Sequence, residues 1–415
     1  MSTFFLWRTQ RARRSKTGNT HHRTPSRWRF TALLALFGLV GCEPLYDSLD
    51  FTRETVPVFE AAKKDDPGDA GANPALRVMA WNVKYGAARI PFWFDCWGDK
   101  VQMSQAEVKA NMSDLYALIN EVDPDILVVE EIEVNSKRSA YYDMVQGVLD
   151  HTKLNYGAYI ETWNSRWVAA DGLGRMNLGN AIFSRYPITK AERIRQDDRT
   201  DQDALTAAFY IKRAIGRAEI SLHGINGAGG KKVLAFVVHT EAYDNDGTKQ
   251  KHIKQIYDLV KTETLPLVLG GDFNELPPTA TRKKGFPDER ETAVCSEDFV
   301  QPPYTPEVMQ PFYDDMMAWV TLKAYGTTEA AQSKYFTHSV LGPDETNEIG
   351  EPGAWNRTLD YLFLDKGSSW RPGSGTVLQR NGQVIKDRAG DDLTLVKDPL
   401  KLSDHAPVFG IWEVK

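Results

Sequence analysis

Positive charge is scarce where a polyanion would need it. The chain has 415 residues, with 50 Lys and Arg against 56 Asp and Glu. Eight of the basic residues (Arg8, Arg11, Arg13, Arg14, Lys16, Arg23, Arg27 and Arg29) fall in the first 41 positions, which hold no acid. The rest of the chain therefore sets 42 basic residues against 56 acidic ones, a balance of −14. Such a body has no broad basic face for a polyanion. It can still hydrolyse a phosphate ester where metal ions supply positive charge locally. Cysteine is also scarce, at three. No apolar run reaches the ~20 residues of a membrane-spanning helix. What is present is ordinary globular composition, 42% hydrophobic and 11% aromatic, which argues against disordered, collagen-like and polytopic membrane classes. The chain is long enough for one large core or two smaller ones.

The apolar run that does occur, Phe30 to Gly41, is about a dozen residues long and follows the basic stretch. It ends in Leu39-Val40-Gly41-Cys42, which resembles a bacterial lipoprotein box. There the peptide is cut before the cysteine and lipid is attached to its sulfur. The plainer reading is a short buried helix ending at a cysteine. The order of basic run, apolar run, small residue and Cys favours the signal. Its long basic region departs from the type and points to a later start codon. Glu43 rather than Asp after the cysteine favours the outer membrane in such lipoproteins. The expectation is a signal peptide over 1–41, a flexible tether over 42–75 and a domain over 76–415. The product would be exported and lipid-anchored through Cys42. In an oxidising periplasm Cys96 and Cys295 either pair as a disulfide or remain two buried thiols, and the sequence does not choose.

Short β-branched runs read as strands, most of them buried on both faces. They lie at Leu76–Trp81, Ile126–Val129, Asn180–Phe183, Ala207–Ile211, Val233–Val238, Pro266–Leu269, Leu359–Leu364 and Val408–Trp412. Helices fall between them. Ser104 and Glu107 form a capping-box pair. Val108, Leu115, Leu118, Ile119 and Val122 then share one helical face before Pro124. A second helix starts near Lys249 with Ile253, Ile256, Leu259 and Val260 inward. A third lies near Tyr141–Leu149. This interleaving predicts one α/β domain without repeats and, taken alone, a parallel sheet. Segments 275–350 and 366–402 read as surface insertions.

Nearly every strand-like run stops at a polar residue able to bind a metal or move a proton. These are Asn82, Glu130-Glu131, His239-Thr240, Asp272-Phe273-Asn274, Asp360, and Asp404-His405. Singly, each has a plain alternative, such as a turn residue, a helix cap or a core histidine. Together they would be a costly coincidence, because buried charges need partners or metals.

The blocks Arg77–Val83, Asp125–Glu131, Gly179–Ile188, Gly271-Asp272-Phe273-Asn274 and Ser403-Asp404-His405 resemble, in order, the endonuclease/exonuclease/phosphatase superfamily of DNase I-like metallophosphoesterases. The resemblance spans about residues 76–413. It implies an α/β (α+β) four-layer sandwich: two packed, mostly antiparallel β-sheets flanked by helices. It implies Mg²⁺ or Mn²⁺ on Glu131, with Asn82 beside it and Asp404 on the same or a second ion. It further implies that His405, oriented by Asp360, contacts the scissile phosphate. Asp272 and Asn274 would position the attacking water, and His239 would bond the phosphate from the other side.

Some residues depart from the family pattern. Glu130 stands where the family often has Gln. No carboxylate partner for His239 is evident, with Glu161 a candidate only by proximity to a strand. Gly353-Ala354-Trp355-Asn356-Arg357 resembles the inositol-phosphatase motif only faintly, and its spacing to Asp360 fails.

The resemblance leaves the substrate open. The readings are an extracytoplasmic nuclease, a lipid or small-molecule phosphodiesterase, and a binding lipoprotein without activity. The complete polar set argues against the last. Partners would be a nucleic acid or phospholipid head group and the membrane, with the chain a monomer. Arg185, Arg213 and Arg217 are candidates to line a groove. The aromatic run Ile90–Trp97 suits either stacking on substrate or plugging the core.

Overall fold

The computed structural model describes residues 45–415, apart from 96–97, 170–171, 226, 228–229, 244, 290–301, 347–349 and 351–352. The leader, Cys42, Cys96 and Cys295 lie outside the described residues, and with them the lipoprotein box and the disulfide question. Among the described residues no helix is long and apolar enough to cross a membrane.

In chain order the strands are β1 (Arg53–Thr55), β2 (Val58–Glu60), β3 (Ala75–Asn82), β4 (Ile126–Glu133), β5 (Tyr156–Val168), β6 (Gly174–Ser184), β7 (Ile188–Arg195), β8 (Ala214–Ser221), β9 (Lys232–His239), β10 (Leu267–Asp272), β11 (Met317–Ala318), β12 (Asp360–Leu364), β13 (Ser369–Trp370), β14 (Thr376–Val377), β15 (Val384–Lys386), β16 (Asp392–Thr394) and β17 (Val408–Glu413). The main helices are α1 (Gln105–Val122), α2 (Met144–His151), α3 (Ala204–Phe209) and α4 (Thr248–Val260). One sheet runs β1-β7-β8-β9-β10-β12-β11. The other runs β13-β17-β3-β4-β6-β5-β2, with β14 also on β17.

Among the described strands, only the β3–β4 and β9–β10 pairs are parallel. They are joined by α1 and α4, the long crossovers that parallel pairing requires. Neighbours such as β5–β6 and β7–β8 are antiparallel. The architecture is therefore the mostly antiparallel two-sheet sandwich, not the parallel sheet that interleaving alone suggests.

The first core lies between the sheets. Val78, Ala80, Val128 and Ile182 of one sheet meet Val237, Val268 and Leu362 of the other. The second core lies outside the β3–β4–β6 sheet, where Met79, Leu127, Val129 and Phe183 pack against Val108, Leu115 and Leu118 of α1 and Val145 of α2. Successive strand residues thus serve opposite faces, with the period of two that a pleat imposes. The α1 capping box forms as expected, with Glu107 N–H donating to Ser104 Oγ and Ser104 N–H to Glu107 Oε2. The helix ends on Asp123 in the left-handed region, just before Pro124, which disfavours helical geometry in the residue before it.

Several expectations are corrected. The tether over 42–75 is not free where it is described: β1 pairs with β7 and β2 with β5. Three-residue edge strands leave too little periodicity to read. Ala207–Ile211 is not a strand; its first part is the end of α3, which Asp203 caps by accepting from Leu205 N–H and Thr206 N–H. Strands β5, β7 and β8 were unexpected, and β6 begins before the run expected at Asn180. Polar residues such as Arg193 and Arg217 interrupt their apolar pattern, and buried ion pairs accommodate them. Segments 275–350 and 366–402 are more than surface insertions: Phe312 and Val377 join the first core, and Leu378, Ile385 and Leu395 join the second.

Candidate active site

Register gathers the polar strand ends. Asn82 on β3 lies opposite Glu130 on β4. Asp272 on β10 lies between His239 on β9 and Asp360 on β12. Close approach of the two sheets brings these groups to one edge. A Cβ on Gly270 would come within 2.8 Å of both Val128 and Leu362. Gly271, at φ +139°, leaves no room either, since a Cβ there would lie 2.1 Å from Val238 O. The Ser-Asp-His loop is tied to β3 by Ser403 Oγ donating to Asn82 O (2.8 Å) and Trp81 Nε1 donating to His405 O (2.8 Å).

Strand β4 delivers its two acids differently. The β4–β6 register shifts between Val129 and Ile132, and Glu131 adopts φ +56°. This bulge re-aims a side chain, as bulges near sites do. Glu131 keeps 26% of its side chain open to the cleft. Glu130 is buried, and neither of its carboxyl oxygens has a hydrogen-bond partner. Burial, Asp360 and Asp272 hold the Glu130 carboxyl well above the usual carboxylate range. Glu131 thus faces the cleft while Glu130 does not.

Asp272 is the hub. Its Oδ1 accepts from Asn274 N–H at 2.8 Å. Its Oδ2 lies 3.2 Å from Asn82 Nδ2, 3.5 Å from His239 Nε2 and 3.7 Å from His405 Nε2. Burial, reinforced by Asp360 and Glu131, raises its pKa to about 7. His405 Nδ1 lies 2.9 Å from Asp360 Oδ2. Burial opposes its charge, but Asp360, Asp272 and Asp404 outweigh burial and raise its pKa to about 10. His239 goes the other way: burial, then Arg213 and His405, keep it neutral. The site thus sets a carboxyl that titrates near neutrality beside a fixed imidazolium and a neutral imidazole. Groups whose environments push their pKa values apart mark acid and base roles.

Asn82 donates from Nδ2 to Glu131 Oε1 at 3.3 Å, while its oxygen accepts from Lys84 N–H. Asn82 thus sits beside Glu131 and Asp272. Asp404 is held by Lys84, whose Nζ lies 3.3 Å from it and 2.9 Å from Asp95. Burial opposes the Asp404 charge, but Lys84, His405 and Arg89 keep its pKa low. Asn274, at φ +47°, donates from Nδ2 to Thr240 O.

The donor set fits a hard divalent cation. Glu131 and Asp404 are oxygen donors whose like charges raise the Glu131 pKa, after burial. Ligand atoms of Asp272, Asp360 and His405 also lie within 4.8 Å of one another. The cleft, about 350 Å³, is lined by eight carboxylic acids and four Lys or Arg side chains. A surplus of acid attracts a phosphate ester only once a cation offsets it.

Of the proposed groove arginines, only Arg213 lines the cleft. Arg217 pairs with Glu192 and Glu263, and Arg185 with Asp123. Glu161 serves Asn164 and Asn177, not His239. The aromatic run divides: Phe92 is buried, while Trp93 and Phe94 line the cleft. Lys84 and His338 were not anticipated. His338 lines the cleft and packs edge-on against His405, with centroids 4.6 Å apart. It sits in irregular chain, where no periodicity marks it. Lys84 could have been suspected only from its place two residues after Asn82.

Two face-packed sheets with acidic, amide and histidine side chains at one common edge define a DNase I-like sandwich. The chain belongs to the Endonuclease/Exonuclease/phosphatase family, whose model matches residues 79–405. Members of this family are typically phosphoester hydrolases that depend on a divalent metal. No curated protein matches the sequence. Among solved structures, an endonuclease/exonuclease/phosphatase from Beutenbergia cavernae is 15% identical, with 82% of this chain and 72% of that one covered and a TM-score of 0.46. The human Nocturnin catalytic domain with bound sulfate is 15% identical, with 87% and 98% covered and a TM-score of 0.45. A mannosyl-6-phosphatase from Bacteroides thetaiotaomicron is 13% identical, with 81% and 99% covered and a TM-score of 0.41.

Proposed function

We propose that the chain is a divalent-metal-dependent phosphodiesterase acting outside the cytoplasm, anchored through a lipidated Cys42. The observation that carries the enzymatic reading is Asp272, held by Asn274 N–H and set between His239 and His405. Mg²⁺ or Mn²⁺ would be held by Glu131 and Asp404, and when bound it offsets phosphate charge and activates water.

The protein groups then divide the proton work. Asp272, ionised above about pH 7, takes a proton as water forms its bond to phosphorus. His405 donates from Nε2 to the oxygen whose bond to phosphorus breaks, and Asp360 keeps its Nδ1 protonated and oriented. Neutral His239 offers a hydrogen bond from the opposite side. Asn82 aligns Glu131 with Asp272.

The test is turnover of bis-p-nitrophenyl phosphate and p-nitrophenyl phosphate by the full chain with Mn²⁺, then with EDTA. EDTA-sensitive hydrolysis of the diester, lost in His405→Ala, supports the reading. Preference for the monoester moves the enzyme to the phosphatases. Turnover that survives EDTA overturns the metal requirement. For the anchor, incorporation of labelled palmitate that Cys42→Ser abolishes is expected.

A further inference from the structure

The cleft has an end that the chemistry above does not use. Besides the catalytic groups, its lining includes the apolar side chains of Trp93, Phe94, Trp163, Leu173, Leu178 and Phe209. This wall is not a by-product of sheet packing. Trp93 and Trp163 pack on Val168, Leu173 and Met176, a small hydrophobic cluster separate from both main cores. An apolar surface turned towards a water-filled cleft is costly unless a ligand covers it.

The wall is also braced from behind. Tyr46 bridges to Ser165 on β5, and its ring lies 5.2 Å from that of Phe209. The next residue, Tyr210, donates its hydroxyl to Glu241 at 2.8 Å. The segment read as a tether thus supports Phe209, which leaves the wall formed before any ligand arrives.

Two features limit the occupant. The cleft volume, about 350 Å³, is at the small end of ligand sites. It has room for at least one phosphoryl group and one ring-sized substituent. Its charge is the second limit. Besides the catalytic acids, Asp201, Asp203, Asp288 and Glu289 line it. Arg199 pairs with Asp201, and Arg357 with Asp288 and Glu289, so the arginines there are already engaged and offer further phosphates of a polymer little attraction.

We propose that the cleft takes a phosphoester with a single phosphoryl group and one flat, uncharged aromatic substituent, which lies against the wall formed by Trp93, Trp163 and Phe209. The inference rests on the phosphodiesterase reading and narrows its substrate. The ring stacks where the apolar wall is continuous with the catalytic cluster, and the phosphoryl group sits at Asp272 and His405.

The wall is assigned to the substituent that stays on phosphorus, since the leaving group departs at His405. The test therefore holds the p-nitrophenyl leaving group constant and varies the retained substituent. The full chain with Mn²⁺ is given phenyl, methyl and n-hexyl p-nitrophenyl phosphate, with a single-stranded DNA oligomer as competitor. The phenyl ester is expected to exceed the methyl ester in kcat/KM by about 10- to 100-fold, the range for burying a few apolar carbons, and to exceed the hexyl ester. Trp163→Ala and Phe209→Ala should each cut the phenyl-to-methyl ratio about tenfold or more, mainly through KM. DNA should compete weakly. Equal kcat/KM for phenyl and methyl esters overturns the proposal while leaving the phosphodiesterase reading intact. A hexyl ester that exceeds the phenyl ester overturns the aromatic assignment, and strong competition by DNA overturns the exclusion of polymers. No turnover of any ester overturns the parent reading instead. Should either variant fail to fold, the wild-type ratio still decides.

Discussion

Replacing Asp360 by Asn isolates the charge behind the His405 imidazolium. The amide keeps the shape and can still accept from Nδ1–H, so geometry is retained while the anion is lost. His405 has its pKa raised from 6.5 to about 10, which at about 1.4 kcal/mol per pH unit means that its surroundings favour the cation by about 5 kcal/mol. Asp360, at 2.9 Å, leads that effect, with Asp272 and Asp404 supplying the rest. Assigning Asp360 about half gives a fall of ~2 pH units, or about 2–3 kcal/mol, in Asp360→Asn. The assay is a ¹⁵N titration of the imidazole nitrogens in metal-free protein, beside the pH–rate profile with Mn²⁺. The ring should titrate near pH ~8 in the variant, so kcat should be largely kept at neutral pH and fall about two pH units earlier on the alkaline side than in the wild type. Stability shifts in a definite direction too. The raised His405 pKa stabilises the fold fully below pH 6.5, and that stabilisation is lost as pH climbs through about 10. In Asp360→Asn this alkaline loss should shrink. An unchanged imidazole titration would refute the argument.

Other perturbations give separate readings. Glu130, buried with both oxygens unpartnered and its pKa raised, stabilises the fold less as pH rises above 4.5. Glu130→Gln should therefore gain stability relative to wild type between pH 5 and pH 9 in urea unfolding, and an equal difference at both would contradict this. Lys84→Ala leaves Asp95 and Asp404 without their shared cation. It should cost about 3–5 kcal/mol, partly restored by Mg²⁺, whereas a loss below ~1 kcal/mol would show that the clamp is not needed.

The strand ends were legible because a buried apolar run that stops at a carboxylate or histidine leaves few plain explanations. Asp272, Asp360 and His405 are brought together by register, as their positions suggested. The division of labour between Glu130 and Glu131 was not readable from composition or period, because it depends on a bulge and a positive φ. Resemblance supplied it. Lys84 and His338 escaped because one follows a strand end in an irregular turn and the other joins Arg357 and His405 by isolated bridges outside the named strands. The edge strands β1 and β2 escaped because three residues cannot display a period. Strands β7 and β8 escaped because arginines on their buried faces find carboxylates that only the folded sheet supplies.

The most direct test of the account is a calorimetric titration of the full chain with Mn²⁺, set beside Glu131→Gln and Glu130→Gln. The cleft should bind Mn²⁺ in the wild type and in Glu130→Gln, and lose at least tenfold in affinity in Glu131→Gln, which removes a charged oxygen ligand. Binding that is indifferent to Glu131, or absent from the wild type, would contradict a metal-dependent centre at this sheet edge.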